Sequence, residues 1–176
     1  MTTEPSVKDE KNPSGFLVGK RFFDSKNLID QPAQGQLKPV ASVEKIITEQ
    51  LGSTLAEPAT IRFGDDQYYL PTEDEIDFIL LESKLDRKRF MQERFDCDDF
   101  SFILKGEISA HAYKAGQLTC GICAGIAWGY FKWNQRGYHA VNWYLGSDES
   151  LKFIEPQWDV IFPVEQGSHG IDLFLA

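Results

Sequence analysis

Between Leu118 and Trp133 side chains alternate in size with a period that suits a β-strand and no helix. Leu118, Cys120, Ile122, Ala124, Ile126, Trp128 and Tyr130 fall on one face of such a strand, and Gly121, Cys123, Gly125, Ala127 and Gly129 on the other. A face without bulk lets a helix or another backbone pack close to it. Asn134-Gln135-Arg136-Gly137 then reads as a turn, and Tyr138-His139-Ala140-Val141-Asn142-Trp143 as a second alternating strand. Beyond Gly146-Ser147-Asp148-Glu149-Ser150, the run Phe153-Ile154-Glu155-Pro156-Gln157 reads as a third. An antiparallel meander is predicted.

The preceding sequence is mostly helical in pattern. Ser42 caps a short helix presenting Val43, Ile46 and Ile47 and ending near Gly52. Ile61 to Leu70 reads as a hairpin turning at Gly64-Asp65-Asp66. Thr72 and Glu75 have capping-box spacing ahead of Ile76, Ile79 and Leu80. Phe100, Ile103, Leu104, Ile108 and Ala112 recur at helical spacing behind the acidic turn Asp96-Cys97-Asp98-Asp99. Helices first and strands after give an α+β fold. Three segments follow: a disordered tail over 1–14, an extended arm with a short helix over 15–60, and the functional domain over 61–176.

Cys97 falls where that acidic turn becomes a helix, facing free backbone N–H groups and the positive end of the helix dipole. His139 lies on one strand and Glu155 on the next. Facing side chains on adjacent antiparallel strands stand about 4.5–5.5 Å apart. Glu155 can therefore orient the His139 ring, while a helix across the small-residue face brings the Cys97 Sγ to the other ring nitrogen. Taken singly, such a cysteine is most often a small buried hydrophobe. Together the order and element types describe nucleophile, base and orienting acid, the papain-like layout for acyl transfer.

Asp96, Asp98 and Asp99 crowd this thiol with negative charge. They read either as ordinary first-turn acids or as ligands of a divalent cation beside the nucleophile. Carboxylates with an amide oxygen such as that of Gln157 suit calcium or manganese.

Asp96-Cys97-Asp98-Asp99-Phe100, Tyr138-His139-Ala140-Val141-Asn142-Trp143 and Glu155-Pro156-Gln157 resemble the C-terminal domain of the Marasmius oreades agglutinin family of fungal lectins, over roughly Ile61 to Val164. The resemblance implies a papain-like cysteine protease fold, with the nucleophile helix packed on an antiparallel sheet. It also implies a calcium- or manganese-dependent thiol protease using Cys97 as nucleophile, His139 as general base and acid, and Glu155 as orienting residue. Protein or peptide substrates and a homodimer are implied as partners. Gln157 is similar to a family glutamine near the site, as oxyanion donor or metal ligand, and Asp98 and Asp99 correspond to acids near the family's metal. Papain-type enzymes also place a glutamine before the nucleophile, which makes Gln92 a second oxyanion candidate. Phe90 stands where the family has a tryptophan in the pocket wall, and no sugar-binding trefoil accompanies this sequence. An amidase or transglutaminase of the same fold and a non-catalytic dimerisation or interaction module are the alternatives.

A net charge of −9 and a pI of about 4.8 exclude a phosphate-tracking nucleic-acid binder and an anionic-membrane binder. No apolar run reaches the ~18 residues of a membrane span. The first residues, Met1 to Ser6, lack the basic start and apolar core of a secretory leader. With an odd count of three cysteines this predicts a reducing, cytoplasmic setting, secretion by another route being left open. Cys120 and Cys123 fit C-x-x-C but fall on opposite strand faces, which assigns them to packing. His111 lies in the last turn of the Cys97 helix, where positive charge complements the dipole.

Overall fold

The computed structural model describes residues 34–116, 118–131, 137–164 and 169–176. The expected tail at 1–14, the expected arm up to residue 33, residues 132–133 of the expected long strand and most of the turn at 134–137 lie outside the described residues. In chain order the elements are β1 (Gln36–Pro39), α1 (Val40–Leu51), β2 (Leu55–Arg62), β3 (Gln67–Leu70), α2 (Glu73–Ser83) and α3 (Cys97–Lys114). These are followed by β4 (Ala124–Phe131), β5 (Tyr138–Leu145), β6 (Leu151–Glu155), β7 (Val160–Pro163) and β8 (His169–Leu175).

Local signals account for the helices. α1 starts directly after Pro39 and buries Val43, Ile47 and Leu51, a stripe with a step of four, before Gly52 turns the chain at a φ of 44°. α2 begins with the predicted capping box: the Thr72 hydroxyl accepts the Glu75 N–H at 3.3 Å, and the Glu75 carboxylate accepts the Thr72 N–H at 2.7 Å. α3 has its own box between Asp96 and Asp99 and starts at Cys97.

The strands depart from the predicted meander. One six-stranded sheet has the order β2-β8-β4-β5-β6-β7, and β1 and β3 form a separate two-stranded sheet. The hairpin expected over Ile61 to Leu70 is absent, because β2 pairs with β8 and β3 with β1. The Tyr68 hydroxyl accepts the N–H groups of Gly64 and Asp65 at 2.9 and 3.1 Å, fastening the connection as a corner between sheets. β8, the C-terminal strand, enters between β2 and β4, parallel to the first and antiparallel to the second. The sheet is therefore mixed, and strands outnumber helices eight to three among the described residues. This sheet-rich arrangement replaces the α+β, papain-like fold on an antiparallel sheet that the sequence predicted.

A hydrophobic cluster lies on each side of the large sheet. On one side α1 packs Val43, Ile47 and Leu51 with Val141, Trp143, Phe153 and Phe174. Trp143 stacks on Phe174 at 4.2 Å, and its indole N–H donates to the Leu175 carbonyl at 3.0 Å. On the other side Ile76 and Ile79 of α2 and Phe100, Leu104 and Ile108 of α3 pack with Ala124, Tyr144 and Ile154. Each large side chain buried this way contributes about 1.5–3 kcal/mol.

β4 begins at Ala124, six residues later than alternation alone suggests. Its small face is not where α3 docks. A Cβ on Gly125 would sit 1.7 Å from the Leu175 carbonyl oxygen, and one on Gly129 would sit 2.4 Å from the Gly170 oxygen. These glycines admit β8. α3 covers the opposite face, with the Phe102 ring 5.6 Å from Trp128. No helix among the described residues is long and apolar enough to cross a membrane, which says nothing of a β-barrel.

Candidate functional site

The approach to Cys97 is a tight turn. Met91 and Phe95 exchange backbone hydrogen bonds of 2.8 and 2.7 Å, and Glu93 between them takes a φ of 57°. The Glu93 N–H then donates to Asp96 Oδ2 at 3.2 Å, and the Phe95 ring meets Phe100 edge-on at 4.7 Å. These contacts fix the entry angle of α3, so that Cys97 is its first residue and half-buried.

Asn142 bolts the helix to the sheet. Its amide Nδ2 donates to the Ser101 carbonyl at 2.9 Å and to the Gly125 carbonyl at 3.1 Å, while the Ser101 hydroxyl donates to the Cys97 carbonyl at 2.9 Å. Asn142 is fully buried, and its Oδ1 has no hydrogen-bond partner. Sequence reading passed over Ser101 and Asn142. Their signal was one amide in the otherwise apolar stretch from Ala140 to Leu145, where a buried polar group must be doing something.

His139 and Glu155 meet inside the protein. The imidazole Nε2 lies 2.6 Å from Glu155 Oε2, with the histidine 7% and the glutamate 2% exposed. The β5–β6 register pairs Asn142 with Ile154, so one further step sets Glu155 opposite Val141. His139 is thus a diagonal neighbour of Glu155, not the directly facing residue. Phe131 closes the ring edge-on at 6.3 Å. His139 also hydrogen-bonds the Cys97 side chain. With Nε2 committed to Glu155, Nδ1 is the nitrogen left for sulfur. Burial would lower the ring's pKa, but the bonds to Cys97 and Glu155 and the charge of both overcome it and raise it to about 9. At neutral pH the group is an imidazolium between sulfur and carboxylate.

The remaining candidates sit less centrally. Gln157 enters through its main chain, its N–H donating to Glu155 Oε1 at 3.1 Å. Gln92 is exposed in the Met91–Phe95 turn, and Phe90 just before it is 41% exposed. Asp99 is taken up by the cap, accepting the Asp96 N–H at 3.1 Å. Ligand atoms of Asp96, Cys97 and Asp98 lie within 4.8 Å of one another. A side-chain hydrogen bond to Asp96, with burial and neighbouring charge, raises the Asp98 pKa. Two acids this close repel each other when ionised, and a shared proton or a cation between them would relieve that. The carboxylates suit a hard cation such as calcium or manganese; the thiol suits it less, and two carboxylates leave most of a calcium shell to water.

His111, Cys120 and Cys123 behave as packing groups. His111 lies edge-on to Phe78 at 5.8 Å, and burial lowers its pKa, against the charged helix-end role expected of it. Cys120 and Cys123 are free thiols, and burial pushes Cys123 up to about 12.

A mixed sheet with α3 laid across it defines the class, and comparison places it. The family model described as agglutinin C-terminal matches residues 68–160, more than half of the chain. The chain belongs to the agglutinin C-terminal family. No curated protein matches it. Among solved structures it is similar to PSL1a in its E64 complex, with 22% identity and a TM-score of 0.66, over 80% of this chain and 51% of that one. It is also similar to the Polyporus squamosus lectin bound to the human-type influenza-binding epitope Neu5Acα2-6Galβ1-4GlcNAc. That match has 21% identity and a TM-score of 0.62, over 80% of this chain and 49% of the lectin. This chain spans about half the length of those structures, and at such identities the likeness shows the fold.

These findings correct the expected activity. The family is an agglutinin family, and the solved structures that share its sheet-rich fold, of which this chain spans about half, include a lectin, so the papain-like cysteine protease, its hydrolase chemistry and its catalytic-triad label give way. The amidase and transglutaminase alternatives rested on the same papain-like fold and go with it. A protein or peptide substrate likewise has no support here. The correction has a physical reason: three convergent side chains define which atoms meet, whereas the surrounding fold and pocket define what they meet.

Proposed function

We propose that this chain serves carbohydrate recognition, as the agglutinin C-terminal part of a glycan-binding protein. The observation that carries the reading is the family match over residues 68–160, supported by a fold in common with a lectin whose bound ligand is a sialylated trisaccharide. A glycan array probed with the labelled chain tests it. Saturable binding to a defined set of oligosaccharides is the expected result, and signal no higher than that of a denatured sample overturns the reading.

Within this protein Cys97, His139 and Glu155 form a reactive-thiol site. Glu155 fixes the tautomer and orientation of the ring, and the ring holds a proton next to the sulfur. In this reading Gln157, Gln92 and Phe90 are the residues that would line the approach to the thiol. Asp96 and Asp98, flanking Cys97 and joined in sequence to Asp99, are the residues that would hold calcium or manganese. Such an ion would neutralise the acids beside the thiol. Self-association into a homodimer is the second partner in this reading.

A further inference from the structure

The segment from Lys84 to Arg94 opposes the rest of the molecule in charge. It sets Lys84, Arg87, Lys88, Arg89 and Arg94 against Asp86 and Glu93, a net charge of +3 in a chain of net −9. Every residue in it except Leu85 is exposed. Its ion pair is internal, Arg87 Nε to Asp86 Oδ1 at 3.9 Å. Lys84, Lys88, Arg89 and Arg94 pair with no carboxylate among the described residues. Acids outnumber bases 27 to 18 in this chain, so these cations stand unpaired where carboxylates are plentiful.

The frame that presents them is fastened at both ends. Leu85, 1% exposed, anchors the near end in the cluster with Ile76 and Phe100. Lys84 takes a φ of 54°, and the Lys88 N–H donates to the Leu85 carbonyl at 2.8 Å. At the far end the Arg94 N–H donates to the Met91 carbonyl at 3.0 Å, inside the Met91–Phe95 turn. Cations on such a frame lose less conformational freedom when a ligand engages them.

The charge calls for an anion, and the rest of the chain limits its size. Without this +3 the chain carries −12. A bilayer or a nucleic acid extends its charges well past the segment and meets that repulsion. A short acidic oligosaccharide sets one or two anions on the loop alone. Guanidinium groups grip a carboxylate or a sulfate through paired N–H donors. Phe90, 41% exposed and next to Arg89, adds a ring on which the apolar C–H face of a pyranose can lie.

We propose that Lys88, Arg89 and Arg94, with Phe90, form a docking site for an acidic sugar bearing a carboxylate or a sulfate. The proposal rests on the carbohydrate reading above and names the class of glycan.

Titration of the full chain with 3′-sialyllactose, 3′-sulfolactose and lactose, followed by two-dimensional NMR, tests it. At least one acidic sugar is expected to bind about tenfold more tightly than lactose and to shift the backbone amides of residues 87–94. The tighter of the two names the anion. Raising NaCl from about 50 to about 500 mM should weaken that binding at least about fivefold. The double variant Lys88→Gln/Arg89→Gln should weaken it about tenfold, and Phe90→Ala about threefold. These side chains are exposed, and circular dichroism checks that each variant is folded. Acidic-sugar binding unchanged in the double variant, or binding of neutral sugars only, overturns the site while leaving the carbohydrate reading in place. A chain that binds neither these sugars nor any on the array overturns both. Binding of a polyglutamate peptide or of phosphatidylserine vesicles that depends on Lys88 and Arg89, in a chain that binds no acidic sugar, assigns the loop to another partner and overturns the proposal.

Discussion

Cys97 and Cys123 put the same side chain into opposite surroundings. Cys123 is fully buried among Tyr68, Val141 and Trp143, and burial, against the Leu145 backbone and the Lys105 charge, pushes its thiol up to about 12. Cys97 is half-buried at the first turn of α3, bonded to an imidazole that a carboxylate holds from behind. Around Cys123 apolar area carries stability, with the Leu145 backbone and the Lys105 ammonium as its polar neighbours. Around Cys97 stand the His139 ring and the carboxylates of Asp96 and Asp98. The dry side stabilises the sheet, and the wet end of α3 is where its chemistry is exposed.

The largest expected effect breaks the dry side. Gly125→Ala places a methyl against the Leu175 carbonyl, which must push β8 away from β4. A loss of about 3 kcal/mol or more is expected by urea unfolding, and a change below ~1 kcal/mol would show that β8 does not lie there.

Next comes the charged end. His139 has a folded pKa of about 9 against an unfolded value near 6.5. Because the folded value is the higher one, the stabilisation is fully present below about pH 6.5 and is lost as pH rises through 9. For this buried ring the loss is on the order of 3 kcal/mol. Urea midpoints measured from pH 6 to 10 should fall over that window, and Glu155→Gln should flatten the fall. An unchanged slope in Glu155→Gln would contradict the pairing.

The smallest effect concerns the cap. Asp99→Ala removes the acceptor of the Asp96 N–H and should cost about 1 kcal/mol. Isothermal calcium or manganese titration should respond more to Asp98→Asn than to Asp99→Ala, since Asp98 and Asp96, not Asp99, lie together at the thiol. Equal responses would return Asp99 to the ligand set.

What the sequence made legible follows from how local each signal is. The Thr72–Glu75 box, the start of α3 at Cys97 and the two strands bearing His139 and Glu155 are each written within a few residues, and each stands in the structure. The partner of a strand is not written locally. β2 looked like half of a hairpin because β3 follows it, yet both find partners far away in sequence. No strand was legible where β8 lies, and so the reason for Gly125 and Gly129 was missed. Alternation revealed two faces of β4 but not which one α3 would cover. Three aspartates within four residues gave no hint that Asp99 would serve the cap while Asp96 and Asp98 stayed together. The ligand was least legible: the thiol, imidazole and carboxylate suggested peptide hydrolysis, and the family around them is one of agglutinins.

The central claim is that position, rather than residue type, makes one thiol of three chemically available. Incubating the folded chain with an equimolar epoxide electrophile and mapping the adduct by mass spectrometry tests it most directly. The account predicts modification at Cys97 alone, slowed in His139→Ala, with Cys120 and Cys123 reacting only in urea. An adduct at Cys120 or Cys123 of the folded chain, with Cys97 unmodified, would contradict it.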